Sequence, residues 1–129
     1  MGKLILRKGG VAGLLQRQNG ELPLPFGREI FLLQTHIAGT SHVKNIKKLA
    51  EALQPGERLD LFREPENPYD ALAVLVKNQK GQKLGYLPQK QNAIFARLMD
   101  AGKQLYAEMD HQRTIDGWIK IDIRVYLRD

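Results

Sequence analysis

The chain of 129 residues contains no cysteine. That absence removes disulfides, thiol nucleophiles, iron–sulfur clusters and thiolate zinc sites, leaves packing to hold the fold, and fits a reducing, cytoplasmic setting. Long apolar runs are missing as well. Nowhere do about 18 apolar residues follow one another, and the basic stretch Met1-Gly2-Lys3-Leu4-Ile5-Leu6-Arg7-Lys8 lacks the apolar run of about 7–15 residues that marks a signal peptide. Neither secretion nor membrane spanning is expected. Leu6 stands where an N-myristoylation signal needs Ser or Thr. No P-loop, Gly-x-Ser-x-Gly, His-Glu-x-x-His or dinucleotide glycine fingerprint occurs, and Gly9-Gly10-Val11-Ala12-Gly13 has the wrong spacing for one. His36, His42 and His111 stand apart from one another. No metal or other cofactor is expected, and the chain reads as non-catalytic.

What is present describes an ordinary globular chain, 43% hydrophobic and 26% charged, of a length that suits one domain. Twenty Lys and Arg against fourteen Asp and Glu give a net charge of +6, which leans toward a polyanionic partner such as nucleic acid. The surplus is uneven. Leu22-Pro23-Leu24-Pro25-Phe26-Gly27 interrupts any helix or central strand, so residues 1–28 form an arm that carries +4, and residues 29–129, the domain proper, carry +2. Within the arm, Val11–Arg17 is compatible with a short helix.

Beyond the arm, β-branched and apolar residues predict a strand over Ile30–Ile37. Asn45 is placed to cap a helix over Ile46–Leu53, with Ile46, Leu49, Ala50 and Leu53 on one face. Arg58–Arg63 alternates as a strand, and Ala71–Lys77 is apolar enough for a strand covered on both faces. The turn Asn78-Gln79-Lys80-Gly81 leads into a strand at Lys83–Leu87. A helix over Gln91–Ala101 would turn Ala93, Ile94, Leu98 and Ala101 inward. Leu105–Met109 reads as a strand and His111–Thr114 as a turn. In Trp118–Leu127, Ile119, Ile121, Ile123, Val125 and Leu127 alternate with Lys120, Asp122, Arg124 and Tyr126, which predicts one core face and one wet face. The pattern is that of a small α+β domain: about six mostly antiparallel strands whose curled sheet resembles a barrel, with two helices.

An acidic stretch lies at the centre of this basic chain. Residues 57–70 hold five carboxylates, Glu57, Asp60, Glu64, Glu66 and Asp70, against Arg58 and Arg63. Such acids can ligate magnesium, or they can form a solvated loop braced by the two arginines. Within the stretch, Arg63-Glu64-Pro65-Glu66-Asn67-Pro68-Tyr69-Asp70 carries two prolines that stiffen the backbone and hold the preceding residues extended. This loop is built to keep a shape. Asn67 and Asp70 suit either local amide caps or a ligand. Basic clusters flank it at residues 44–48 and at residues 77–90, the latter with four lysines and no acid.

Four motifs in order, Ile37-Ala38-Gly39-Thr40, Leu59 through Val74 around the Pro-rich loop, Lys83-Leu84-Gly85-Tyr86-Leu87-Pro88, and the helix ending Leu98-Met99-Asp100-Ala101-Gly102, resemble the HIRAN domain family over roughly Glu29 to Val125. The resemblance implies an OB-like barrel, and a nucleic-acid-binding function in which single-stranded DNA is held by its 3′-hydroxyl end, as in the best understood eukaryotic members. On that analogy Asp70 accepts a hydrogen bond from the terminal hydroxyl, Tyr69 packs on the terminal nucleotide and Asn67 contacts a phosphate. Tyr86 stands where a eukaryotic relative has histidine, and Lys90 lies near a phosphate-contacting lysine. Arg63 belongs to the same motif. One departure is plain: the eukaryotic binders follow the glycine motif with arginine and tyrosine, whereas this chain has Ser41 and His42, which can hydrogen-bond and stack but supply no permanent cation. The candidate binding residues are therefore Ser41, His42, Arg63, Asn67, Tyr69, Asp70, Tyr86 and Lys90. The alternatives left open are a protein-interaction barrel that does not bind nucleic acid, and a small metal-dependent nuclease using Glu64, Glu66 or Asp70.

Overall fold

Alternation of apolar with polar side chains makes strands the main regular elements of the chain. The computed structural model describes residues 28–129, in the order β1 (Glu29–His36), a 3-10 turn (Thr40–His42), α1 (Ile46–Glu51), β2 (Arg58–Arg63), β3 (Val74–Lys77), β4 (Lys83–Tyr86), α2 (Asn92–Asp100), β5 (Gln104–Ile115) and β6 (Trp118–Arg128). Residues 1–27 of the arm, with the helix expected at Val11–Arg17, lie outside the described residues. No helix among the described residues is long and apolar enough to cross a membrane.

The six strands form one antiparallel sheet in the order β1-β6-β5-β2-β3-β4. Its ends meet again just past β1. Ala38 N–H donates to Tyr86 O at 2.7 Å, and Tyr86 N–H returns the bond to Ala38 O at 2.9 Å, while Ile37 N–H donates to Ile121 O at 2.9 Å. This one pair curls the sheet into a partly closed, OB-like barrel with two helices. The approach is so close that a Cβ on Gly85 would lie 2.4 Å from Ala38 O and 2.6 Å from Ile37 Cγ2. Only glycine fits there.

Inside the barrel, Ile37, Leu59, Val74, Val76, Leu84, Ile121, Ile123 and Val125 are fully or almost fully buried and form one core with Phe95 and Ala96 of α2. Helix α1 lays Ile46, Leu49 and Ala50, and Leu53 just beyond it, on that core as its spacing predicts. Val74, Leu75 and Val76 are all buried, so β3 is covered on both faces, though it begins at Val74 because residues 71–73 belong to the preceding loop.

Four expectations are corrected. Asn45 makes no side-chain cap; it contributes instead a left-handed backbone turn, with φ 63°. In helix α2 Leu98 packs on the core as expected, but Ala93, Ile94 and Ala101 are exposed, Ile94 at 63%, and Asn92, Phe95 and Ala96 are buried instead, because the helix's phase is set by Phe95 in the core and by a polar anchor at Asn92. Residues 111–114 continue β5, and the reversal falls at Asp116-Gly117, whose positive φ values of 46° and 81° suit a tight hairpin. The outer face of β6 is not wholly wet: Asp122 is buried beneath His111, whose Nε2 lies 2.9 Å from its Oδ2, and pairs with Lys120, and Tyr126 stacks on Tyr106 with ring centroids 5.4 Å apart.

Replacing Gly85 with alanine forces the β4 edge away from Ala38. Urea denaturation of Gly85→Ala is expected to show a loss of about 1–3 kcal/mol, the usual range for overpacking at a tight contact; an unchanged midpoint would mean that the closing pair does not hold the barrel.

Candidate functional site

The loop between β2 and β3 is fixed by its own side chains. Pro65 and Pro68 limit its backbone, and Asn67 closes it: Asn67 Oδ1 accepts from the N–H groups of Tyr69 (2.8 Å) and Asp70 (3.1 Å), while Asn67 Nδ2 donates to Glu64 Oε1 (3.0 Å). The same carboxylate oxygen accepts the hydroxyl of Tyr86 at 2.7 Å. Glu64 therefore joins the loop to the strand that closes the barrel. Donation from Asn67 and then Tyr86 holds the Glu64 carboxyl below its usual range, with the charges of Lys83 and Lys77 acting in the same direction and burial opposing them.

Asp70 is held from two sides. Its Oδ1 accepts Leu72 N–H at 2.9 Å, and its Oδ2 accepts Asn92 Nδ2 at 2.7 Å from the buried start of α2. A carboxylate offers about four acceptor positions, so Asp70, only half-buried, keeps capacity for a further donor. Arg63 spans the base of the loop. Its guanidinium grips Asp100 with Nε to Oδ1 at 2.8 Å and Nη2 to Oδ2 at 3.2 Å, and donates to the carbonyls of Ala73 (2.8 Å) and Ala71 (3.1 Å). Arg63 also keeps the Asp100 carboxyl below its usual range. These bonds make Arg63 a clamp within the fold.

Tyr69 is the opposite case. Its backbone is tied to Asn67, yet the residue is 90% exposed at the loop's tip. Ser41 and His42 lie exposed in the 3-10 turn that follows Ala38, and Thr40 anchors that turn by donating from Oγ1 to Ile119 O at 3.0 Å. Lys90 is exposed on the segment entering α2, two residues before the anchor Asn92.

The structure thus gathers Arg63, Asn67, Tyr69 and Asp70 in one loop, links Tyr86 to them through Glu64, and sets Ser41 and His42 beyond the Ala38–Tyr86 pair. It does not enclose them in one pocket. One open cleft is lined by Glu64 to Pro68, and another by His42, Val43, Lys44, Asn45, Leu49, Gln82 and Lys83; Tyr69 and Asp70 line neither. Among the described residues no three or more His, Asp or Glu side chains gather as metal ligands would. Of the expected braces, Arg63 acts through Asp100 and backbone carbonyls. Arg58 instead pairs with Asp60 and lies over the Tyr106 ring. The roles of Glu64 as hub, Asn92 as anchor of Asp70 and Asp100 as counterion of Arg63 had no local signal, because their partners lie 22, 22 and 37 positions away.

A partly closed antiparallel barrel with a self-wired loop between its second and third strands is the class of domain this geometry defines. The family model described as the HIRAN domain matches residues 30–128, and the chain belongs to that family. It is 37% identical over 59 residues, 46% of its length, to the helicase-like transcription factor of Oryctolagus cuniculus, and spans 6% of that protein. A crystal structure of a protein from Lactobacillus plantarum superposes with a TM-score of 0.71 at 27% identity, covering 80% of this chain and 98% of that one. The crystal structure of the HIRAN domain of human HLTF superposes with a TM-score of 0.62 at 20% identity over 78% of each chain, a likeness of fold.

Two outcomes follow for the loop. Asn67→Ala removes three bonds and should lower stability by about 1–2 kcal/mol in denaturant titration, with faster amide exchange at residues 69 and 70. The lowered carboxyl of Glu64 contributes stability that is complete above the ordinary carboxylate range and is lost as pH falls through its depressed value. Glu64→Gln should therefore flatten the acid side of the stability profile; an unaltered profile would show that the Glu64 bonds carry no such linkage.

Proposed function

We propose that this domain binds nucleic acid, taking single-stranded DNA and reading its 3′-hydroxyl end in the cytoplasm, by binding rather than catalysis. The observation that carries the reading is a loop whose bonds are spent on its own shape while Tyr69 stays 90% exposed beside the incompletely satisfied carboxylate of Asp70. An exposed aromatic ring stacks on any base for about 1–3 kcal/mol. A carboxylate beside it accepts from a free hydroxyl and repels a terminal phosphate, which is the chemistry needed to tell a 3′-hydroxyl from a 3′-phosphate. Membership of the HIRAN family supports this reading. Asn67 acts by presenting Tyr69 and Asp70, and Arg63 by holding the loop's base. Lys44 and Lys90 supply the attraction for phosphates that Ser41 cannot.

Fluorescence anisotropy with labelled oligonucleotides tests the proposal. The native protein should prefer a 3′-hydroxyl to a 3′-phosphate end, Asp70→Ala should erase the preference, and Tyr69→Ala should weaken both by about 5-fold or more. Equal affinity for both ends would remove end recognition, and no binding at low salt would remove nucleic-acid binding altogether.

A further inference from the structure

The outer face of β2, β3 and β4 carries two rows of side chains, of which the loop uses only the hydroxyl of Tyr86 and in which Leu75 is buried between its neighbours. Phe62, Leu75 and Tyr86 are directly opposite one another across the three strands, and Asp60, Lys77 and Lys83 form the next row. Directly opposed residues of antiparallel strands share a face. Lys77 Nζ lies 4.9 Å from the Phe62 ring centroid and Lys83 Nζ 4.7 Å from that of Tyr86, which places both lysines on that side.

A phenylalanine 45% exposed near the end of its strand is not needed by the core, which Leu59 and Leu61 fill from the other face of β2. Neither lysine forms an ion pair with a carboxylate among the described residues. The acid at the far edge, Asp60, is already engaged by Arg58 and by Gln79 Nε2. Phe62 and Tyr86 stand two strands apart, about 10 Å across the sheet, too far for one base to cover both. The face therefore sets a row with two aromatic rings beside a row with two lysines. It is also continuous with the loop, because the hydroxyl of Tyr86 bonds Glu64, whose carboxylate is in turn tied to Asn67.

We infer that this face is a track for the single strand whose end the loop holds: bases stack on Tyr86 and Phe62 while backbone phosphates follow Lys83 and Lys77. The inference rests on the function proposed above. In the free protein each lysine covers its ring, and a weak exposed cation–π contact is readily exchanged for a phosphate and a base. The negative charge of Glu64 at the loop end of the face keeps phosphates on the lysine row.

The test uses the full chain and 3′-hydroxyl oligodeoxynucleotides of two lengths, about 2 and about 10 nucleotides, the latter within the roughly 4–16 that an OB-type module spans. Phe62→Ala is expected to weaken the longer strand by about 5-fold or more and leave the shorter one unchanged, with Phe62→Trp restoring the affinity and thermal melting confirming that both variants fold. Lys77→Gln combined with Lys83→Gln should reduce the logarithmic salt slope for the longer strand by about 1.4, the contribution of two phosphates on a single strand. If Tyr69→Ala weakens both lengths while the Phe62 and lysine variants match the native protein, the track is overturned and end binding stands. Equal weakening of both lengths by Phe62→Ala also overturns the track. If the native protein binds neither length, the end-binding reading and the track fall together.

Discussion

The paired hydrogen bonds between Ala38 and Tyr86 are the contact on which the rest of the domain depends. Six strands in a row would otherwise leave β4 as an open edge, and an open edge neither encloses a core nor holds a fixed surface. The two bonds bring the chain after β1 against β4, and the missing side chain of Gly85 allows the backbones to come that close. Tyr86 serves both parts of the molecule: its backbone closes the barrel, and its hydroxyl fastens Glu64 and with it the loop. Barrel closure and loop order are thus coupled through one residue.

The loop separates structure from function within a few positions. Arg63, Glu64 and Asn67 spend their hydrogen bonds on geometry, whereas Tyr69 is left to solvent and Asp70 lies between these extremes. Preorganisation of this kind lowers the entropy that a ligand must remove on binding. The acidic stretch in a basic chain is understandable on the same terms. Asp60, Glu64 and Asp70 each have partners in the fold, and cations line the surfaces around them.

Much of this architecture was legible in the sequence because the signals were local. Period-two alternation located β2 and β6, the apolar run at Val74–Val76 marked a strand covered on both sides, and the prolines around Asn67 marked a rigid loop. Where the reading failed, a longer-range contact overrode a local preference. Helix α2 departs from its apolar pattern because the polar Asn92 is buried to reach Asp70 while apolar Ile94 is left outside. Asp116-Gly117 carried the hairpin signal, but the polar run from His111 to Thr114 resembled a turn because its polar side chains lie along an exposed extension of β5. Tyr126 leaves the wet face its alternation predicts because Tyr106 stands beside it on the next strand, which no pattern along one strand reveals. Barrel closure at Gly85 leaves no local pattern, because it is a contact between two backbones distant in sequence.

Helix α2 holds the loop at both of its own ends, with Asn92 at its first residue on Asp70 and Asp100 at its last on Arg63. At about 1.5 Å of rise per residue, the two attachment points are about 12 Å apart along the axis and differ by about 80° around it. The helix is therefore a gauge that sets the width of the loop. Inserting or deleting one residue between the attachments would turn one of them by about 100° relative to the other, so the two could no longer be made together. The number of residues in this helix, more than their identity, is what keeps Asp70 and Arg63 in step.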